Sequence, residues 1–280
     1  VAAVRRDAAL AWVGAWHAER RAALLGELLR ENRLLQDTLP VRIASGRAMP
    51  ADLTMARQDA LMLADRGDEL TREVKRWRAE LRRWVGARGD EALDGAPTLP
   101  ANPDPGDVDR HADLAAYDAM RGMALAEVAE ADAEGRGDWA LEVAYSRRPR
   151  YDDMVSVQVS VELPWQRERR QQPQVQAKRR EVERLDAERD DQRRRRVAEL
   201  QQMQAELDAV QAQLARLQGP GQSLAAERVA LTLAAYEAGR ADLAPVLQAR
   251  AQALDLRLRA VDLESQRDAL RVRLTTFTAE

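Results

Sequence analysis

At 280 residues the chain is long enough for one or two ordinary domains. Its hydrophobic content of 45% includes only 4% aromatics, and charged residues reach 32%, a bias toward Ala, Leu, Arg, Glu and Gln that belongs to long helices and coiled coils rather than to a globular core. A net charge of −3 removes the global electrostatic case for nucleic acid, and the absence of Cys excludes disulfides, thiol catalysis and Cys-based metal sites.

The first predicted element is a helix from Val1 to about Ser45, with Leu24, Leu25, Leu28, Leu29, Leu34 and Leu35 as its apolar stripe. Val1 to Trp16 already reads as helix interior, so the chain is expected to be a piece of a longer protein, and the lack of a visible signal peptide says nothing about location. Ser45–Pro50 is a turn, and a second helix follows from Asp52 to about Val85. Gly86–Gly106 holds four Pro and four Gly and reads as loop, with the linker between repeats at 95–108. A third helix runs from about Asp109 to Glu134, ended by Gly135 and Gly137.

Next comes a strictly alternating pair of strands. Trp139, Leu141, Val143 and Tyr145 alternate with Ala140, Glu142, Ala144 and Ser146; after SRRPRYDD, Val155, Val157, Val159, Val161 and Leu163 alternate with Ser156, Gln158, Ser160 and Glu162. Pro164 closes the second strand. A helix is expected from about Pro173 to Gln218, about 70 Å long at 1.5 Å per residue. Within it Leu200, Met203, Leu207, Val210, Leu214 and Leu217 step by three and four, as a coiled-coil seam does. Gly219-Pro220-Gly221 is expected to interrupt that helix, which then restarts, turns at Gly239 and ends with a last helix from Leu243 to near Thr276. No apolar run approaches the roughly 20 residues of a membrane-spanning helix.

Two turns match. One reads Ile43-Ala-Ser-Gly46-Arg47-Ala48 and reaches Asp52-Leu53 after three further residues; the other reads Tyr236-Glu-Ala-Gly239-Arg240-Ala241-Asp242-Leu243. Each lies between long helices, about 190 residues apart, which is too far for a multi-copy solenoid and points to a duplicated unit. On that reading 1–94 is the helical hairpin of a first repeat and 109–280 a second repeat of helix, β-hairpin (138–164) and long helical hairpin (173–280). The opening helix and strand pair of the first repeat would precede the sequence given.

The alternating strands suit a membrane β-barrel, whose strands need about 9–11 residues with one apolar face. They equally suit a soluble hairpin packed on a helix. A lone hairpin cannot span lipid with open edges, so in the first case it must join strands from elsewhere.

The strand end Val159-Ser-Val161-Glu-Leu163-Pro164-Trp165 with its Arg-rich helix start, Pro220 ahead of the Tyr236–Leu243 tip, and the opening His111-Ala-Asp113-Leu114 together resemble the TolC-like outer-membrane efflux proteins, and most of all their CzcC-type heavy-metal branch. The resemblance implies a mainly α fold: long antiparallel helices in a coiled-coil-like α-barrel, with one transmembrane β-hairpin here, assembled as a trimeric α/β-barrel channel. It places the protein in the bacterial outer membrane, with the helices in the periplasm. Trp139, Leu141, Val143, Val155, Val157, Val159, Val161 and Leu163 would face lipid, and Trp165, Arg167, Arg169 and Arg170 would sit at the interface.

By the same resemblance Gly46, Arg47, Asp52, Tyr236, Gly239, Arg240 and Asp242 lie at the periplasmic tip, as gate or adaptor-docking residues. Arg47, Asp52, Arg240 and Asp242 could form ion pairs there, while Asp52 and Asp242 also suit simple helix N-caps. Pro245 and Gln248 occupy positions where the family often has acidic residues. The implied partners are two further copies of the chain, a periplasmic adaptor (membrane fusion protein), an inner-membrane pump of the resistance-nodulation-division type and outer-membrane lipid, with heavy-metal cations as cargo. Catalytic constellations are missing, so no enzyme, no cofactor and no resident metal site are expected; His111-Ala-Asp113 reads as a helix start, and Arg193–Arg196 as a solvated helix face. The competing reading is a periplasmic adaptor or coiled-coil scaffold, disfavoured because this chain nests a β-hairpin inside helices rather than the reverse.

Overall fold

The computed structural model describes residues 2–95, 98–100, 107–134, 139–147, 149, 152–161 and 167–277, with the backbone alone at 2 and 167–171. Its elements are α1 (Ala2–Ala44), α2 (Pro50–Val85), short 3-10 turns at Gly86–Asp90 and Val108–Arg110, α3 (Ala112–Glu134), β1 (Trp139–Ser146), β2 (Met154–Val161), α4 (Arg167–Arg216), a π-turn at Leu217–Gly221, α5 (Gln222–Glu237) and α6 (Leu243–Thr276). The chain divides into two compact units, one of Val1–Gly106 with Glu199–Glu280 and one of Asp107–Ala198.

In the first unit α1 and α2 form one helical hairpin, and α5 and α6 another. The coiled-coil seam is real: Leu207, Val210 and Leu214 are buried against Ala260, Leu263, Leu270 and Leu274 of α6, flanked by Leu200, Met203 and Leu217. Each fully buried leucine contributes about 1.5–3 kcal/mol, so tertiary packing rather than propensity holds these helices. Leu25 joins Leu63, Leu254 and Leu258, with Leu24, Leu28 and Leu29 at the edge of that cluster. Leu34, expected in the same stripe, instead points outward. Because α1 packs on one side of α6 and α4 and α5 on others, α6 is buried at successive positions such as Ala260 and Val261 as well as Leu258.

The π-turn corrects one expectation. Gly219-Pro220-Gly221 does not stop the helix; one widened turn carries the backbone from α4 into α5, and it absorbs Pro220. Pro173 likewise does not start α4, which begins six residues earlier at Arg167. A single missing backbone donor near the start of a fifty-residue helix removes one bond of the ladder and leaves the later turns intact.

In the second unit, α3 packs on the first part of α4 through Ala124, Val182 and Leu185, with Tyr117 and Val128 beside them. Cross-helix ion pairs flank this strip: Arg121–Asp186 and Lys178–Glu127 at 2.7 Å, Arg189–Asp118 at 3.0 Å, Arg193–Asp109 at 2.7 Å, and Arg196–Asp113. Arg193 and Arg196 therefore tie α4 to the start of α3 instead of lying on a merely solvated face, although Arg195 does pair within its own helix, with Asp191. Hydrogen bonding from Arg193 and Arg196 holds the Asp109 and Asp113 carboxyls below their ordinary range. His111 is buried and accepts the Asp113 N–H at its Nδ1 (3.2 Å), the helix-start role expected of it.

Candidate functional site

The two GRA turns end their helices in the same way. At the first, Arg47 N–H donates to the Arg42 carbonyl (2.8 Å) and Gly46 N–H to that of Ile43 (3.0 Å); at the second, Arg240 donates to Ala235 (2.9 Å) and Gly239 to Tyr236 (3.0 Å). This pair of bonds is the Schellman closure, which needs a left-handed residue after the helix. Gly46 and Gly239 supply it with φ of 70° and 68°.

Beyond the glycines the turns diverge. α2 starts at Pro50 with Met49 as its N-cap, so Asp52 sits at the third helical position and not at the cap. From there its carboxylate accepts the Met49 N–H (3.0 Å), half of a capping box. Asp242 is the N-cap of α6 by position, yet its side chain makes no capping hydrogen bond, and it is exposed where Asp52 is buried.

The structure brings the seven tip residues together. Gly46, Arg47, Asp52, Tyr236, Gly239, Arg240 and Asp242 all line one open cleft of about 400 Å³. Its floor is a shared apolar cluster of Leu39, Ala56, Tyr236, Leu243 and Val246. Above it the Tyr236 hydroxyl donates to Asp52 Oδ2 (3.2 Å), and the Arg42 guanidinium, a residue the sequence reading passed over, stacks 4.7 Å from the Tyr236 ring centre. Burial and the adjacent Asp52 push the Tyr236 phenol above its ordinary value, so it remains a hydrogen-bond donor. The ion pairs expected among Arg47, Asp52, Arg240 and Asp242 do not form within the chain; among the described residues the two tips are joined by the phenol–carboxylate bond instead.

The β-hairpin is the second candidate surface. β1 and β2 are antiparallel, with Trp139 opposite Val161, Leu141 opposite Val159, Val143 opposite Val157 and Tyr145 opposite Val155. These eight residues make one face that is apolar but for the Tyr145 hydroxyl, each 57–75% exposed in the single chain. The other face pairs Ala140 with Ser160, Glu142 with Gln158, Ala144 with Ser156 and Ser146 with Met154. The Tyr145 hydroxyl bonds Asp153 beyond the turn. Leu163 and Trp165 lie outside the described residues, as do Pro164, Gly135 and Gly137. Arg167, Arg169 and Arg170 open α4, and their side chains are likewise outside the description.

Sequence reading also missed a buried polar layer in the first unit. His17 Nε2 and Asp268 Oδ2 lie 2.9 Å apart, Arg21 bridges Glu73 (2.6 Å) and Asp262, and Glu264 receives Arg20 and the Gln218 amide of the π-turn (2.6 Å). Burial alone would push the Asp268 carboxyl up; hydrogen bonds from His17 and Arg267 and the Arg267 charge outweigh it and hold the group below its ordinary range. The layer adds ion pairs and hydrogen bonds among α1, α2, α6 and the π-turn to the apolar packing of these helices. No group of three or more potential metal ligands occurs among the described residues, and no helix there is long and apolar enough to cross a membrane.

No protein family and no curated protein matches the sequence. Solved structures do match. CusC, a protein of transmembrane channel formation, superposes with a TM-score of 0.81 at 16% identity over 99% of this chain and 68% of its own. The outer-membrane protein VceC of Vibrio cholerae gives 0.79 at 16% identity, over 99% of this chain and 70% of its own. The fold is that of the TolC-like outer-membrane channels. The open state of the MtrE outer-membrane channel of Neisseria gonorrhoeae adds a TM-score of 0.75 at 13% identity, covering 99% of this chain and 66% of its own. The long helices and the β-hairpin thus follow the architecture expected from the sequence, over about two thirds of each neighbour's length.

Proposed function

We propose that this chain is the outer-membrane channel of a tripartite efflux system, a passive exit duct without chemistry of its own. The carrying observation is the hairpin: eight apolar residues on one face, all exposed in the single chain, backed by a face of small and polar residues. Such a face is unfavourable in water and suits lipid only if both strand edges are paired by further strands. A closed barrel built from several copies supplies those edges, and the channel fold of the neighbours supports it. On this reading Trp139, Leu141, Val143, Val155, Val157, Val159, Val161 and Leu163 contact acyl chains, and Trp165, Arg167, Arg169 and Arg170 lie at the headgroups.

The assembly is a homotrimer in the bacterial outer membrane, with its helices in the periplasm. The cleft formed by the two GRA turns, products of a duplicated helical hairpin (1–94 and 173–280), is the gate or docking site for a periplasmic adaptor. That adaptor links the duct to an inner-membrane pump of the resistance-nodulation-division type. Heavy-metal cations are the cargo, on the resemblance to the CzcC-type branch.

The test is membrane fractionation and planar-bilayer conductance of the protein expressed from its complete coding sequence, with spin labels at successive positions from Val155 to Val161. Outer-membrane recovery, unitary conductance and labels alternating between oxygen and water accessibility are expected. A soluble protein with uniformly wetted labels overturns the channel and leaves a coiled-coil scaffold.

A further inference from the structure

The polar face of the hairpin carries a single charge among the described residues. Ala140, Glu142, Ala144 and Ser146 stand opposite Ser160, Gln158, Ser156 and Met154, so among these paired residues Glu142 is the one ionisable group, set between alanine, serine, amide and thioether. It is the fourth of the eight residues of β1, hence at mid-strand, and it is exposed. Elsewhere in the same unit carboxylates are matched by basic side chains across the helix pair, as Asp109 is by Arg193, Asp118 by Arg189 and Glu127 by Lys178. Glu142 has no such partner among the described residues; its cross-strand neighbour is the neutral Gln158. At the hairpin's turn end, by contrast, Arg147 is accompanied by Asp152 and Asp153, so that end has mixed sign.

An ionised carboxylate halfway along a membrane strand is costly against hydrocarbon and must face water. A carboxylate that no neighbour neutralises then acts on whatever ions pass. We propose that Glu142 sets the cation preference of the bore. The inference rests on the channel reading above: closing a barrel from several copies brings one Glu142 per copy to the same level of the wall, and a ring of carboxylates favours cations over anions. Glu142, flanked on the described face by alanines and serines, offers no inner coordination shell of its own. It concentrates hydrated cations electrostatically and holds none of them.

The experiment is the reversal potential of the full-length protein in planar bilayers under a KCl gradient, for the native protein and for Glu142→Gln, Glu142→Asp and Glu142→Lys. The native channel should prefer potassium over chloride. Glu142→Gln should lower that permeability ratio about twofold or more at 0.1 M salt, and clearly less at 1 M, where the screening length shrinks from about 10 Å to about 3 Å. Glu142→Asp should keep the preference, and Glu142→Lys should shift it toward chloride. Conducting channels whose ratio is the same in all four proteins overturn the role of Glu142 and leave the channel standing. A native protein that inserts but never conducts overturns the channel reading and this inference with it.

Discussion

The two helical tips are the most instructive pair of regions in the molecule. Both close an incoming helix with the same two backbone bonds and the same left-handed glycine, and both were written with the same residues, Gly-Arg-Ala and then Asp-Leu. Yet the two aspartates do different work. Three extra residues, Met49, Pro50 and Ala51, let the outgoing helix start at Pro50, whose fixed φ suits a first helical position. Asp52 is thereby carried into the first turn, buried, and aimed at the Tyr236 hydroxyl of the other tip. Asp242, without that insertion, stays at the cap, exposed and unbonded to the helix it precedes. Identical motifs can thus supply identical turns and unlike attachments.

Substitutions should separate these roles. Asp52→Ala removes the acceptor for both Tyr236 and the Met49 N–H and leaves a buried phenol unsatisfied; a loss of about 2–3 kcal/mol is expected from denaturant midpoints at constant m value. Gly46→Ala and Gly239→Ala should each cost about 1 kcal/mol, and nearly the same amount. The added methyl meets nothing within 4 Å at either site, so only the backbone conformation is taxed; a clear inequality in thermal unfolding would show that the two turns are not equivalent. Tyr236→Phe keeps the apolar floor and deletes one hydrogen bond, for about 1 kcal/mol, and combined with Asp52→Ala it should be less than additive. Asp242→Ala should change stability by less than about 0.5 kcal/mol. If it matches Asp52→Ala, the contrast between the tips is wrong.

The comparison also has a pH signature. Tyr236 is raised above its ordinary value of 10.0, so its contribution is complete below that pH and is lost as pH climbs through the higher folded value. An alkaline fall in stability that disappears in Tyr236→Phe is the expected outcome.

Much of this was legible in the sequence because it is local. Alternation in period two gave the hairpin and its facing residues, and the three-four spacing from Leu200 to Leu217 gave the seam against α6. The glycine turns could be read because left-handed closure has few substitutes. What escaped has long-range causes. His17 meets Asp268 across 251 residues of chain, and no spacing rule joins them. Arg193 and Arg196 read as part of a solvated helix face, while the partners that hold them, Asp109 in the 3-10 turn before α3 and Asp113 in its first turn, lie more than eighty residues away in the chain. Asp52 was misplaced because a motif match aligns letters and cannot show where the helix begins.

The widened turn at Leu217–Gly221 has a further consequence, for phase. Extending the spacing of Leu207, Val210, Leu214 and Leu217 along an uninterrupted helix would bring Leu224 and Leu231 to the inner side. One surplus residue in that turn rotates everything after it by about 100°. Leu224 and Leu231 are turned out, 63% and 65% exposed, while Val229 and Leu233 are half-buried and Tyr236 fully so. Deleting a single residue there should swing the two leucines inward and carry the Tyr236 phenol, four turns of α5 downstream, off its carboxylate, so the stagger of one tip against the other is metered by a bulge remote from it in the chain.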